Sequence, residues 1–167
     1  PSIGESRYTS IISTTIMPLE RERVVHGNVS FNPGYLERVI GIACENQGMG
    51  IAFLHSHPFA GWQSMSVDDI EAEQNKLASR VYAVTGLPLI GLTVSNDQIW
   101  SARFWNKTGS TYTKSWCSNV RTVGDNLKVD YNDSLVPPPS DPTSHERTIS
   151  SWGLESQNHL ARLKVGI

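Results

Sequence analysis

The sequence predicts an α/β domain with a mixed β-sheet flanked by helices. Two observations carry that expectation. The run GIAFL, residues 50–54, is short, apolar and uninterrupted, which suits a central strand buried on both faces. It lies between segments with helical apolar spacing, and two strand-like stretches follow, PLIGLTVS (88–95) and QIWSARFW (98–105). Strands and helices therefore alternate before a hairpin ends the order.

Each element has its own signal. YTSIISTTI, residues 8–16, is rich in β-formers, is closed by Pro18 and reads as a strand. VVHGNVSF, 24–31, is a mixed segment with a turn at Gly27-Asn28. Asn32 can cap a helix whose first residue is Pro33, with Tyr35, Val39, Ile42 and Ala43 at helical spacing, Ile40 widening the stripe, and Gly48 as the stop. Ser66 can cap a second helix with Ile70, Leu77 and Val81 on its apolar face, Gln74 interrupting them, and Gly86 beyond its end. Asn96-Asp97 predicts a tight hairpin between 88–95 and 98–105, because both residue types tolerate the left-handed region. Residues 112–116 and 120–130 are expected to add edge strands.

Composition removes several functional classes. The chain has 167 residues, 38% hydrophobic and 18% charged, with a formal net charge of -2, and no lysine or arginine cluster to suit a nucleic-acid surface. No apolar run approaches the ~20 residues that span a bilayer, and no signal peptide opens the chain. Cys44 and Cys117 are too few for a disulfide framework, so a reducing, cytoplasmic setting is expected. Residues 1–130 read as one domain and 131–147 as a proline-rich linker. In 148–167, SSWGLESQNHLARL can form an amphipathic helix and KVGI reads as the opening of a strand in a following domain. The expectation is a piece of a longer polypeptide.

The chemistry lies in HSHPFAGWQSMSVDD, residues 55–69. His55 and His57 stand at i and i+2, so on an extended segment both imidazoles point to one side and can converge on one ion. A carboxylate at the start of the next helix, Asp68 or Asp69, would complete a donor set that suits Zn²⁺ and leaves a position for water. Phe59, Trp62 and Met65 can form an apolar wall at the rim, or pack against the domain's own loops. The aspartates also have an ordinary use, because Ser66 with Asp69 forms a capping box and acidic residues complement a helix start. Capping does not explain the histidines.

His55-Ser56-His57-Pro58 followed by Ser66-Val67-Asp68-Asp69 resembles the signature of the JAMM (MPN-plus, JAB) metalloproteases, HxHP and then SxxD, over about residues 8–105. The resemblance implies a JAB/MPN domain with a cytidine-deaminase-like fold, bacterial in type. It implies a zinc-dependent isopeptidase acting on a ubiquitin-like protein or its conjugate, with His55 and His57 as zinc ligands and Ser66 holding the oxyanion. The family spacing would make Asp68 the third ligand but would put Met65 where the serine belongs. One added loop residue keeps Ser66 and makes Asp69 the ligand, and loops accept an insertion more easily than a hydroxyl accepts replacement by a thioether. Asp69 is therefore the expected ligand.

The family also uses a glutamate on an upstream strand as general base. Glu5, in a loop-like stretch, is the fallback here; otherwise the acid is expected before Pro1. Glu20, Glu22 and Glu45 suit solvent-facing roles better. Residues 150–163 with KVGI resemble the lead-in to a ThiF-like, E1-like adenylyltransferase, which would make that activating domain a fused partner. The alternative is a catalytically silent MPN-like scaffold that binds other proteins. A zinc deaminase would require HxE or CxE with PCxxC, and neither cysteine belongs to such a motif.

Overall fold

The computed structural model describes residues 9–23, 32–46, 48–139 and 146–163. VVHGNVSF, Glu5 and KVGI lie outside the described residues. Helix α1 (Pro33–Glu45) starts as the sequence predicts, with the Asn32 side chain accepting from the Gly34 amide at 2.9 Å. Its buried stripe is Leu36 and Ala43 with Val39 and Ile40 beside them. Tyr35 instead turns toward the preceding segment and donates its hydroxyl to the Ile16 carbonyl. Residues 9–19 form no strand, which corrects the expectation for 8–16. They are held by side chains: Arg38 donates to the Met17 carbonyl at 2.9 Å and to both oxygens of Glu22, and Glu22 accepts from the Leu19 amide.

Strand β1 (Ala52–Ser56) runs parallel to β2 (Leu89–Val94), which pairs antiparallel with β3 (Trp100–Thr108), and β3 with β4 (Thr111–Trp116). The order is β1-β2-β3-β4. The sheet is thus mixed, but β1 is its edge among the described residues, not its centre, and Leu54 is 42% exposed. β5 (Asn119–Val123) and β6 (Leu127–Tyr131) form a separate antiparallel pair, so 120–130 is a hairpin bent at Gly124 rather than one strand. The turn between β2 and β3 is also wider than predicted. Ser95 pairs with Ile99 across it, and Gln98 (φ 62°), not Asn96 or Asp97, takes the left-handed conformation. The Ser95 hydroxyl explains this, since it accepts from the Ile99 amide at 2.9 Å and donates to the Asp97 carboxylate inside the loop.

The crossover from β1 to β2 is helical: α2 (Val67–Ile70), a π-helical segment (Glu71–Leu77), then α3 (Ala78–Thr85), closed by Gly86 at φ 69°. Asp69, Glu73, Leu77 and Val81 are all buried, a strict four-residue spacing. In a regular α-helix that spacing drifts about 40° per step. The wider i→i+5 turns of the π segment offset the drift and keep the four positions toward the sheet. Gln74, the apparent interruption, donates to the Tyr112 carbonyl at 2.7 Å and ties the crossover to β4.

Strand register divides the core into two. Leu89 and Trp105 face α1 and α3, joined by Leu36, Ala43, Ile51, Leu77, Ala78 and Val81. Ile90, Leu92, Ala102 and Phe104 face the other way, with Ala52, Cys117 and Val120 against them. Between the apolar layer on the helical side and the end of β1 lies a buried polar cluster. Glu73 accepts from Arg103 Nε at 2.8 Å, from Arg103 Nη2, and from Trp105 Nε1 at 2.6 Å, while Arg103 Nη1 donates to Thr93 Oγ1 at 2.7 Å. Near the C-terminus Gly153 (φ 88°) breaks the expected single helix into α4 (Glu146–Trp152) and α5 (Leu154–Arg162). α5 returns to β6, with Arg162 on Asp133 at 2.6 Å and over the Tyr131 ring. No helix among the described residues is long and apolar enough to cross a membrane.

Two tests follow from the packing. A Cβ at Gly91 would fall on the Glu73 carboxylate and 2.5 Å from Arg103 Nε. Gly91→Ala should therefore cost about 3 kcal/mol, the upper end for overpacking, by urea denaturation; an unchanged midpoint would mean the cluster is loose. Arg38 hydrogen bonds, opposed by burial and aided by the Leu19 amide, lower the Glu22 pKa from 4.5 to about 2. Because the folded value lies below the unfolded one, this stabilisation is complete above the unfolded pKa and is lost as pH falls toward 2. The stability difference between the protein and its Glu22→Gln variant should shrink over that window, and a difference constant with pH would contradict the pairing.

Candidate metal centre

The end of β1 carries both histidines. His55 lies in the strand opposite Thr93, and the His57 amide donates to the Val94 carbonyl at 2.9 Å, so the extended pairing continues past Ser56. The alternation of an extended chain therefore holds through His57, and both imidazoles point to the helical side of the sheet. Their Nε2 atoms stand 3.1 Å apart. Ligands at about 2.0–2.1 Å from a tetrahedral metal have edges of roughly 3.3 Å, close to this separation.

The carboxylate comes from the helix start. Ser66 Oγ accepts from the Asp69 amide at 3.1 Å, and Asp69 Oδ2 accepts from the Ser66 amide at 2.7 Å. This reciprocal cap satisfies two backbone donors and fixes the rotamer of Asp69. Its Oδ1 lies 3.1 Å from His55 Nε2 and its Oδ2 lies 3.2 Å from His57 Nε2. Asp68, one residue and about 100° earlier around the helix, is exposed and outside the cluster. One ligand atom from each of His55, His57 and Asp69 lies within 4.8 Å of the others.

The intervening loop is rigidly built. Buried Gln63 donates its side-chain amide to the carbonyls of Phe59, Ala60 and Gly61, and its backbone amide to Ser101 Oγ at 2.7 Å. The Gly61 amide lies on the Asp97 carboxylate, and the Asn96 amide donates to the Phe59 carbonyl, so the β2–β3 turn braces the loop. Of the three rim side chains, Trp62 packs edge-on to Trp116 and Met65 against the core, while Phe59 stays 70% exposed.

Electrostatics favour a cation. Burial is the main cause lowering the His55 pKa; the Asp69 carboxylate opposes it and Arg103 adds to it. Burial on its own would raise the Asp69 pKa, but the Ser66 amide and hydroxyl with the two imidazoles overcome it and hold the carboxyl below its usual range. A neutral imidazole and an ionised carboxylate are the forms that bind metal. His55 Nδ1 is buried with no hydrogen-bond partner among the described residues, so the cluster at Nε2 and the Phe53 ring, 5.4 Å away, orient the imidazole. Three donor groups crowded this closely, largely away from water, are satisfied by imidazole N–H protons shared with the carboxylate or by a cation between them. The cluster is geometrically suited to hold a divalent metal through three protein ligands.

Of the residues singled out from sequence, the structure gathers His55, His57 and Asp69, and places Ser66 beside them as the cap. No glutamate joins the cluster among the described residues. Glu20 and Glu45 are exposed, and buried Glu22 is bound to Arg38. Sequence reasoning overlooked Gln63, Glu73, Thr93 and Arg103. The legible signal was Arg103 itself, a charge in the same alternating register as Ser101 and Trp105. No family model, curated protein or solved structure matches the chain.

The aspartate pair separates cleanly by experiment. Asp69→Asn should weaken Zn²⁺ binding by more than the ~10–100-fold typical of an outer-shell partner, while Asp68→Asn binds as the parent does. Competition against a chromogenic chelator measures both, and loss confined to Asp68→Asn would reverse the assignment.

Proposed function

We propose that the chain is a zinc-dependent metallopeptidase of the JAMM type, an isopeptidase that processes ubiquitin-like modifier precursors or removes them from conjugates. The observation that carries this reading is the buried His55–His57–Asp69 cluster joined to a Ser-x-x-Asp helix cap. Two imidazoles and one carboxylate match the three-ligand pattern of catalytic zinc sites, which keep a position open for water. Bound there, Zn²⁺ would lower the pKa of that water and polarise the scissile carbonyl.

The chain's own residues supply the remaining roles. His55 and His57 hold two corners with neutral nitrogens, and Asp69 adds a negative charge whose direction the cap fixes. Ser66 uses its oxygen lone pair to accept from the Asp69 amide. Its single proton, turned toward the Asp69 carboxylate in the resting site, is the one we assign to swing to the oxyanion that develops on the substrate carbonyl. Phe59, exposed at the rim, offers an apolar contact to the modifier's C-terminal tail. The general base is assigned to a glutamate, Glu5 or one preceding Pro1, and the fused E1-like activating domain remains part of this proposal.

A silent MPN-like scaffold is the second reading, favoured by the lack of a glutamate in the cluster among the described residues. Incubating the protein, extended N-terminally to include the strand expected before Pro1, with a ubiquitin-like protein fused through its C-terminus to a reporter distinguishes the two. Cleavage that requires Zn²⁺ and disappears in His57→Ala supports the peptidase. Zinc binding without cleavage favours the scaffold, and cleavage unchanged in His57→Ala would sink the metalloprotease assignment.

A further inference from the structure

The Glu73–Arg103 pair has no part in binding the cation directly, and its placement is unusual. Both side chains are completely buried, as is Thr93. Glu73 lies one turn after Asp69 on the crossover, within the π-helical segment. Its carboxylate is gripped by two nitrogens of Arg103 and by Trp105 of β3, and Arg103 extends its third nitrogen to Thr93 of β2. Thr93 is the direct register partner of His55 on β1. Gly91 leaves the space that Glu73 and Arg103 fill, since a Cβ there would collide with both. The Trp116 ring lies 5.7 Å from the guanidinium.

We infer that Glu73 and Arg103 are positioning residues for the cation, clamping the helical turn that follows Asp69 to β3 and to β2, the strand that pairs with the one carrying His55. The inference rests on the metal-centre reading above. Burying two charges is a poor means of gaining stability, because well-packed apolar residues of similar volume often do as well or better. Apolar packing, however, is non-directional, whereas the fork of Arg103 on a carboxylate fixes both distance and rotation. Rotation matters here. A crossover that slid or turned by a fraction of a residue would carry Asp69 away from the two Nε2 atoms. The π segment is the place where such a turn would be absorbed, and Glu73 anchors that segment from within.

The test compares the full chain with Glu73→Gln/Arg103→Met, which removes both charges and leaves an acceptor for Trp105. Zn²⁺ affinity is measured by chelator competition at a temperature where circular dichroism shows each protein fully folded. A loss of about 10–100-fold is expected, the range for residues that orient ligands. Thr93→Val keeps the side-chain shape and cuts only the link to β2, so it reads the same effect if the double variant does not fold; a loss of several-fold is expected. Arg103→Lys, which keeps charge but not the fork, should fall between the double variant and the parent. Affinity equal to the parent's in folded Thr93→Val, or in the folded double variant, overturns the inference while leaving the metal centre intact. No Zn²⁺ binding by the parent overturns both.

Discussion

The ion pair of Glu73 and Arg103 is the constraint on which the arrangement of sheet and crossover depends. It lies where the π-helical segment meets β2 and β3, without solvent contact on either side chain. A charge in that position cannot be left alone, because removing one partner of a buried pair costs about 3–5 kcal/mol. Helix and sheet are therefore held at one separation and one rotation. The apolar layer of Leu77, Val81, Leu89 and Trp105 supplies the general driving force for burial, and the polar layer supplies direction. Gly91 is required by the same contact, which leaves no room for a Cβ.

Above that layer the helical side of the sheet becomes progressively polar, passing from Leu89 and Trp105 through Arg103 and Thr93 to His55. The candidate metal centre is the upper end of this gradient, at the carboxyl end of β1, where a crossover helix begins. Open α/β sheets commonly place ligands at the carboxyl ends of their strands. Two local rules converge there. Extended alternation brings His55 and His57 to one side, and the Ser66 cap turns Asp69 inward. The cap serves the helix and the site together, so the two uses weighed for Asp69 at the sequence level are compatible. Burial then holds the histidine neutral while hydrogen bonds hold the aspartate ionised.

What could be read from the sequence had local causes. The caps at Asn32 and Ser66, the stop at Gly86 and the strands 88–95 and 98–105 follow from residues within a few positions of one another. The errors arose where distant partners decide, or where a side chain or glycine inside the segment overrides its pattern. GIAFL is apolar enough for a central strand, yet strand order places β1 at the edge of the described sheet. Asn96-Asp97 looked like the left-handed pair, but the Ser95 and Asp97 side chains reshape the turn and pass that conformation to Gln98. YTSIISTTI has β-formers without a neighbouring strand among the described residues, and Gly153 divides a segment whose apolar spacing suggested one helix.

The sequence by itself determined the donor set, because HxH on an extended chain and Ser-x-x-Asp at a helix start are short-range patterns with short-range geometry. It favoured Asp69 over Asp68 only through the need to keep a serine three residues earlier. The tertiary structure decided which carboxylate faces the histidines, since that depends on the rotation of the crossover about its axis. That rotation is set by Glu73 meeting Arg103, 30 residues later in the chain. No local pattern records such a pairing; it exists only when the sheet brings β2 and β3 beneath the helix.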